Sequence, residues 1–132
     1  MRFATIVFRI AAIWGIPLLT ILYFLFGIVP TGPVAVMTYP QTYFGFLTIT
    51  MVWQIAFLVI ASDPVRFRPM MIPAILEKLG WVAMLLVLVL IGRAGIPELT
   101  QSVPDAILGV LFVIAFVKTP VRQHLPAGEL SR

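Results

Sequence analysis

The chain contains no cysteine and a single histidine, His124. Without a thiol, disulfides, thiolate metal sites, cysteine nucleophiles and thiol redox sensing are excluded. One imidazole in a polar tail, with no acidic residues grouped at ligand spacing, makes no metal site. No glycine-rich loop is placed to cradle phosphate, and no Ser-His-Asp set is available within the apolar runs. Charge is also scarce: 11% of the 132 residues are charged and five are acidic, against roughly 25% charged in soluble globular domains.

What the chain does have is apolar length. Hydrophobic residues make up 61% of it and the mean hydropathy is +1.10, so it is expected to dissolve in lipid. Its length suits one domain and allows four helical spans of about 20 residues with short connections, leaving no room for a second, soluble domain. The apolar runs predict spans over 10–29, 44–61, 73–92 and 103–117, with charge confined to their ends. The last is short, since about 15 residues reach only about 22 Å against a hydrocarbon core near 30 Å. Snorkelling of Lys118, help from the preceding loop, or local thinning would close the gap. Arg2 and Arg9 ahead of the first run imitate a signal peptide. That run is longer than a cleavable core, however, and no small-x-small site follows it, which predicts a retained span.

Orientation follows from the basic residues. The net charge of +4 and a pI near 10.1 do not form a phosphate-tracking stripe, so nucleic acid is not the expected partner. Eight of the nine basic residues, all but Arg93, fall on the side of the termini and the 62–72 loop. The positive-inside rule then puts both termini in the cytoplasm. The expected fold class is all-α: an integral membrane four-helix antiparallel bundle, N-in and C-in. In the first outside connection, Pro30, Pro33 and Pro40 argue against continuous helix, and Tyr39 and Tyr43 suit an interfacial belt. In the second, Asp105 after Pro104 is placed to support the N-terminus of the fourth span.

The stretch DPVRFRPMMIPAILEKLG, residues 63–80, gathers charge and three prolines. Asp63-Pro64 reads as a helix start, with a short interfacial helix ending before Pro69; a functional carboxylate is the other reading. Arg66 and Arg68 are basic residues of the inside loop. Glu77, about one turn or 6 Å below Pro73, needs a partner if it is ionised at that depth. Arg9 and Gln54 lie at comparable depth on the same side, so Arg9, Gln54 and Glu77 form the expected polar cluster, with Lys78 snorkelling outward. Such a cluster is either a functional site or an ion pair that fixes helix register. Trp14, Trp53 and Trp81 either line a pocket beside it or anchor and pack. Ala11, Gly15, Gly80 and Gly109 are candidates for close helix contacts, and Pro17 for a kink in the first span.

Residues 43–81, through Phe44-Gly45-Phe46, Trp53-Gln54, Asp63-Pro64, Arg66, Arg68-Pro69 and Glu77-Lys78, resemble a group of small bacterial four-span membrane proteins, loosely DoxX-like. The resemblance implies a compact four-helix protein of the bacterial inner membrane and supplies no catalytic residue and no cofactor. Small multidrug exporters are similar in size, but their essential glutamate lies in the first span, which here has no acid.

The leading functional expectation is a non-enzymatic assembly or accessory protein, associating with itself or with a larger membrane complex. It would present a Trp-lined cavity near the inner leaflet for lipid or a hydrophobic ligand. The alternatives are a small proton-coupled transporter using Glu77, and a membrane enzyme acting on a lipid or quinone through Glu77 with Lys78 or Asp63.

Overall fold

The computed structural model describes residues 2–28 and 39–121. The expectations for Pro30, Pro33 and His124 fall outside them. Every regular element within them is helical: α1 (Arg2–Ile28), α2 (Pro40–Ser62), a 3-10 turn (Arg68–Met70), α3 (Met71–Leu90), α4 (Ile96–Gln101) and α5 (Val103–Lys118). Four helical stretches are long and apolar enough to cross a membrane: Arg2–Leu25, Pro40–Ser62, Arg68–Leu90 and Ile96–Lys118.

The boundaries follow from local chemistry. α1 continues through Pro17. α2 starts earlier than the hydropathy suggested, with Pro40 in its first turn, where a missing N–H leaves no helical bond unmade. Asp63 closes α2 rather than opening a helix. Its Oδ1 accepts the Arg66 backbone N–H at 3.1 Å and its carbonyl accepts that of Phe67 at 3.0 Å. The expected short helix at 64–68 is therefore a turn, and Pro69 lies inside the 3-10 element that leads directly into α3. Pro73 falls in the first turn of α3, where it is tolerated.

α3 is closed by Gly92, two residues past Leu90; the Gly92 φ of +69° lies in the left-handed region. That conformation lets the Gly92 and Arg93 N–H groups donate to Val89 and Leu88 carbonyls at 3.0 and 2.8 Å, satisfying groups that a helix end leaves open. α4 is preceded by Gly95 at its N-cap, whose N–H donates to Glu98 Oε2 at 3.0 Å. α4 and α5 together run 23 residues, about 34 Å at 1.5 Å per residue. The fourth apolar stretch is thus longer than the run 103–117 suggested: it is 23 residues of helix interrupted at Ser102.

The bundle is two hairpins. α1 lies along α2, α3 along α5, and the hairpins meet chiefly through α1 against α5, while α2 and α3 barely touch. Toward the end that carries the 62–72 loop the interior is solid. Phe8 stacks on Phe112 with centroids 4.2 Å apart, and Phe57 meets Phe112 edge-on at 5.0 Å. Ala4, Ala11, Ala12, Ala74 and Ala115 fill in around them, all but inaccessible. Close approach elsewhere depends on two glycines. A Cβ at Gly15 would collide with Gln54 Oε1, and one at Gly109 would stand 2.9 Å from Leu79 Cγ. Gly80, expected at such a contact, faces open space. Arg68 ties the loop to the end of α5: its Nε–H donates to the Thr119 carbonyl at 2.9 Å, and its guanidinium lies 3.9 Å from the Phe116 ring centroid.

Candidate functional site

The opposite half of the bundle is hollow. A cavity of about 700 Å³ opens between the hairpins, within the range of small-molecule sites. Trp14 and Gly15 of α1, Trp53 and Gln54 of α2, and Glu77 and Trp81 of α3 are on its wall. On the wall, Trp53 stands 6.2 Å from Phe57 of the phenylalanine cluster, ring to ring. Where α2 and α3 part, Phe46 and Trp81 bridge the gap with centroids 5.2 Å apart.

The cavity holds a charged triad on α3 and α5. Lys78, with 6% of its side chain exposed, places Nζ 2.8 Å from Asp105 Oδ1 and 3.4 Å from both Glu77 carboxylate oxygens. Phe57 lies beneath it, 5.6 Å from ring centroid to Nζ. Lys78 therefore turns inward and does not snorkel outward. The reason is register: the tight connection after Gly92 folds α5 back along α3 so that Asp105 comes level with Lys78. Lys78 is one residue from the midpoint of Arg68–Leu90 and Asp105 two from that of Ile96–Lys118. The triad thus sits about 15 Å from either end, deeper than the single turn expected for Glu77, because the third helical stretch starts at Arg68 rather than Pro73. Asp105 lies at mid-span, in the first turn of α5, where the helix dipole favours its charge.

One lysine cannot match two carboxylates. Glu77 Oε1 accepts a long hydrogen bond from Lys78, while Glu77 Oε2 is shielded from solvent and accepts none. Gln54 donates from Nε2 to the Thr50 carbonyl at 3.3 Å, within its own helix, and its carbonyl end lies against Gly15. A third acid, Glu98, is on the wall nearer the 91–95 connection.

The residues expected to cluster separate into two groups. Gln54, Trp53, Glu77 and Trp81 share the cavity, joined by Trp14. Arg9 is not on its wall; it is exposed on the outer face of α1, beside Ile6, Ile10 and Ile13. Helical spacing explains this, because the buried face of α1 runs through Phe8, Ala11, Ala12 and Gly15, and Arg9 points away from it. Arg66 and Arg68 stay at the loop end, far from the cavity. The cavity extends from mid-span toward the 91–95 connection, away from the loop end where the polar cluster was expected. Asp105, Glu98 and Ser102 were not anticipated as wall residues. Gly95-Ile96-Pro97-Glu98, a glycine followed by proline and an acid in a first turn, was the available signal for the early start of the fourth helical stretch.

Among the described residues, fold and site together define an all-helical arrangement with four helical stretches of membrane-crossing length and a cavity beside a largely buried charged triad. No family model, no curated protein and no solved structure matches the chain.

Proposed function

We propose that the chain is a multi-pass protein of the cytoplasmic membrane that binds an amphipathic small molecule or lipid in this cavity without catalysing its conversion. The observation that carries the reading is the Trp-lined cavity with a largely buried, incompletely paired carboxylate, Glu77, on its wall. The outer surface supports membrane residence: Ile13, Leu76, Leu90 and Val117 are each at least 65% exposed, which suits lipid contact and not water. Arg2, Arg66, Arg68 and Lys118 share one end and Arg93 stands at the other, which favours N-in and C-in. The cavity would then face the outer leaflet. The enzyme reading has little support, since Lys78 is held by Asp105 and Asp63 caps a turn at the opposite end.

Native mass spectrometry of protein released from lipid nanodiscs tests the reading. A stoichiometric small-molecule adduct, lost in Trp53→Leu, is expected. A defined homo-oligomer or foreign subunit with no adduct would overturn it in favour of an assembly role.

A second reading, a proton-coupled carrier using Glu77, is favoured by one observation: the fourth helical stretch is broken at Ser102, level with the triad, as in transporters whose discontinuous helices meet at mid-membrane. It expects pH-gradient-driven uptake into proteoliposomes that Glu77→Gln abolishes without lowering expression.

A further inference from the structure

We infer that the cavity's ligand is an organic cation: an ammonium group on an aromatic or aliphatic body, its charge seated at Glu77 Oε2 and its body against the tryptophans. The inference rests on the cavity-binding reading and specifies the chemistry that reading leaves open.

Charge segregation is the first support. The chain carries +4 overall and has only five acidic residues, yet Glu77, Glu98 and Asp105 all line this one cavity, where, among the described residues, Lys78 is the only basic one on the wall. The wall is therefore formally −2 inside a positive protein. A potential of that sign concentrates cations and excludes lipid phosphates and carboxylates.

The second support is the geometry at the bottom. Lys78 lies closer to Asp105 than to Glu77, and the α5 dipole reinforces Asp105 further, so the uncompensated charge falls on Glu77. Its Oε2 is shielded from solvent and has no hydrogen bond, only the long 3.4 Å ion pair with Lys78, an ammonium that lies nearer Asp105. A buried carboxylate oxygen in that condition is expected to have a closer donor or a second cation in the working protein.

Third is the surround. Among the described residues no three carboxylate or imidazole groups converge closely enough to hold a metal ion, whereas three indoles border the space. Indole faces attract ammonium groups and also accept the apolar body. An isolated inorganic ion would leave most of the cavity unfilled. An organic cation matches both the charge and the volume.

The test uses two probes of nearly the same shape, (2-naphthylmethyl)trimethylammonium and its uncharged carbon isostere 2-neopentylnaphthalene, with 2-naphthylacetate as the anion. Binding is measured by equilibrium dialysis to full-length protein in phosphatidylcholine nanodiscs, against empty nanodiscs. The cation should bind about tenfold or more tightly than the isostere, and Glu77→Gln should erase that difference. Glu77→Asp, which keeps the charge, should preserve the preference, so a misfolded Glu77→Gln does not end the test. Equal binding of cation and isostere, lost in Trp53→Leu, would overturn the cation inference and leave the cavity reading standing. Preferential binding of the anion would overturn the inference as well. No binding of any probe above empty nanodiscs would remove both.

Discussion

Replacing Lys78 by methionine keeps most of the side-chain volume and removes the ammonium, leaving Asp105 and Glu77 without the charge that lies 2.8 and 3.4 Å away. Breaking a fully buried pair by deleting one partner typically costs about 3–5 kcal/mol. Here Asp105 and Glu77 keep 30% and 19% of their side-chain exposure toward the cavity, so water recovers part of that, and about 2–3 kcal/mol is expected. Asp105→Asn alone should cost about 2 kcal/mol by the same reasoning, since Lys78 then retains only the longer contact. The double variant no longer contains the broken pair, so its loss should fall short of the sum by about 1–2 kcal/mol. Reversible unfolding in mixed micelles, followed by tryptophan emission, measures all four corners, because Trp14, Trp53 and Trp81 border the site. Lys118→Met is the control: Lys118 ends α5 and its ammonium lies over the Phe3 ring at 4.9 Å, and a change within about 0.5 kcal/mol is expected. Additive losses at Lys78 and Asp105, within about 0.5 kcal/mol, would show that the pair is not coupled and refute the argument.

Gly15→Ala should destabilise by about 1–3 kcal/mol in the same assay, because the new methyl group occupies the position of Gln54 Oε1. Gly80→Ala, facing open space, should be neutral or slightly stabilising. Phe112→Ala removes the ring that packs against both Phe8 and Phe57 and should cost about 3–5 kcal/mol; because Phe57 adjoins Trp53, it should also loosen the packing behind Trp53, read as faster quenching of that indole by a water-soluble quencher. Arg68→Met should cost about 1–2 kcal/mol, since the Thr119 carbonyl loses its charged donor. Because the chain has no cysteine of its own, single cysteines at positions 66 and 93 give an unambiguous topology: with an impermeant maleimide on intact spheroplasts, only position 93 should label.

Apolar run length was enough to give the number of helices and their all-α class, because no other regular structure suits four such runs separated by polar punctuation. Helix ends were harder. Pro40, Pro69, Pro73 and Pro104 each looked like a boundary, yet proline is also favoured just inside a helix start, and all four are used in that way or within the 3-10 turn. Misplacing those ends by a few residues moved Glu77 from mid-span to one turn below a surface. It also left Asp105 at the outer end of the fourth span instead of near its middle. The pairing of Lys78 with Asp105 was beyond reach without the hairpin register, which the left-handed Gly92 and the short 91–95 connection set. Gln54, Trp53 and Trp81 could be anticipated since each is a polar or amphipathic residue on an otherwise apolar helix. Arg9 met the same test of type and failed on phase: the sequence neighbours of Arg9 that turn inward are Phe8 and Ala11.

The break at Ser102 connects the fold to the site. An unbroken helix over 96–118 would carry the 97–101 carbonyls in a regular ladder and hold Pro104 in its interior, where the ring would clash with the preceding turn. Ending α4 at Gln101 and restarting at Val103 puts Pro104 in a first turn and turns the N-terminus of α5 toward the cavity. Ser102 makes the interruption affordable in an apolar setting, because its N–H and hydroxyl both donate to the Leu99 carbonyl, at 3.1 and 2.7 Å, and its own carbonyl accepts from Ala106 at 3.0 Å. In a chain that crosses a membrane, irregular backbone is tolerated where it is buried in protein or borders a polar cavity, and Ser102 is 2% exposed on the cavity wall. Asp105 then lies where a helix N-terminus stabilises it and where Lys78 can reach it. Lys78 thereby has a nearer partner than Glu77, and the residual negative charge comes to rest on the carboxylate of Glu77, which shares the cavity wall with the tryptophans.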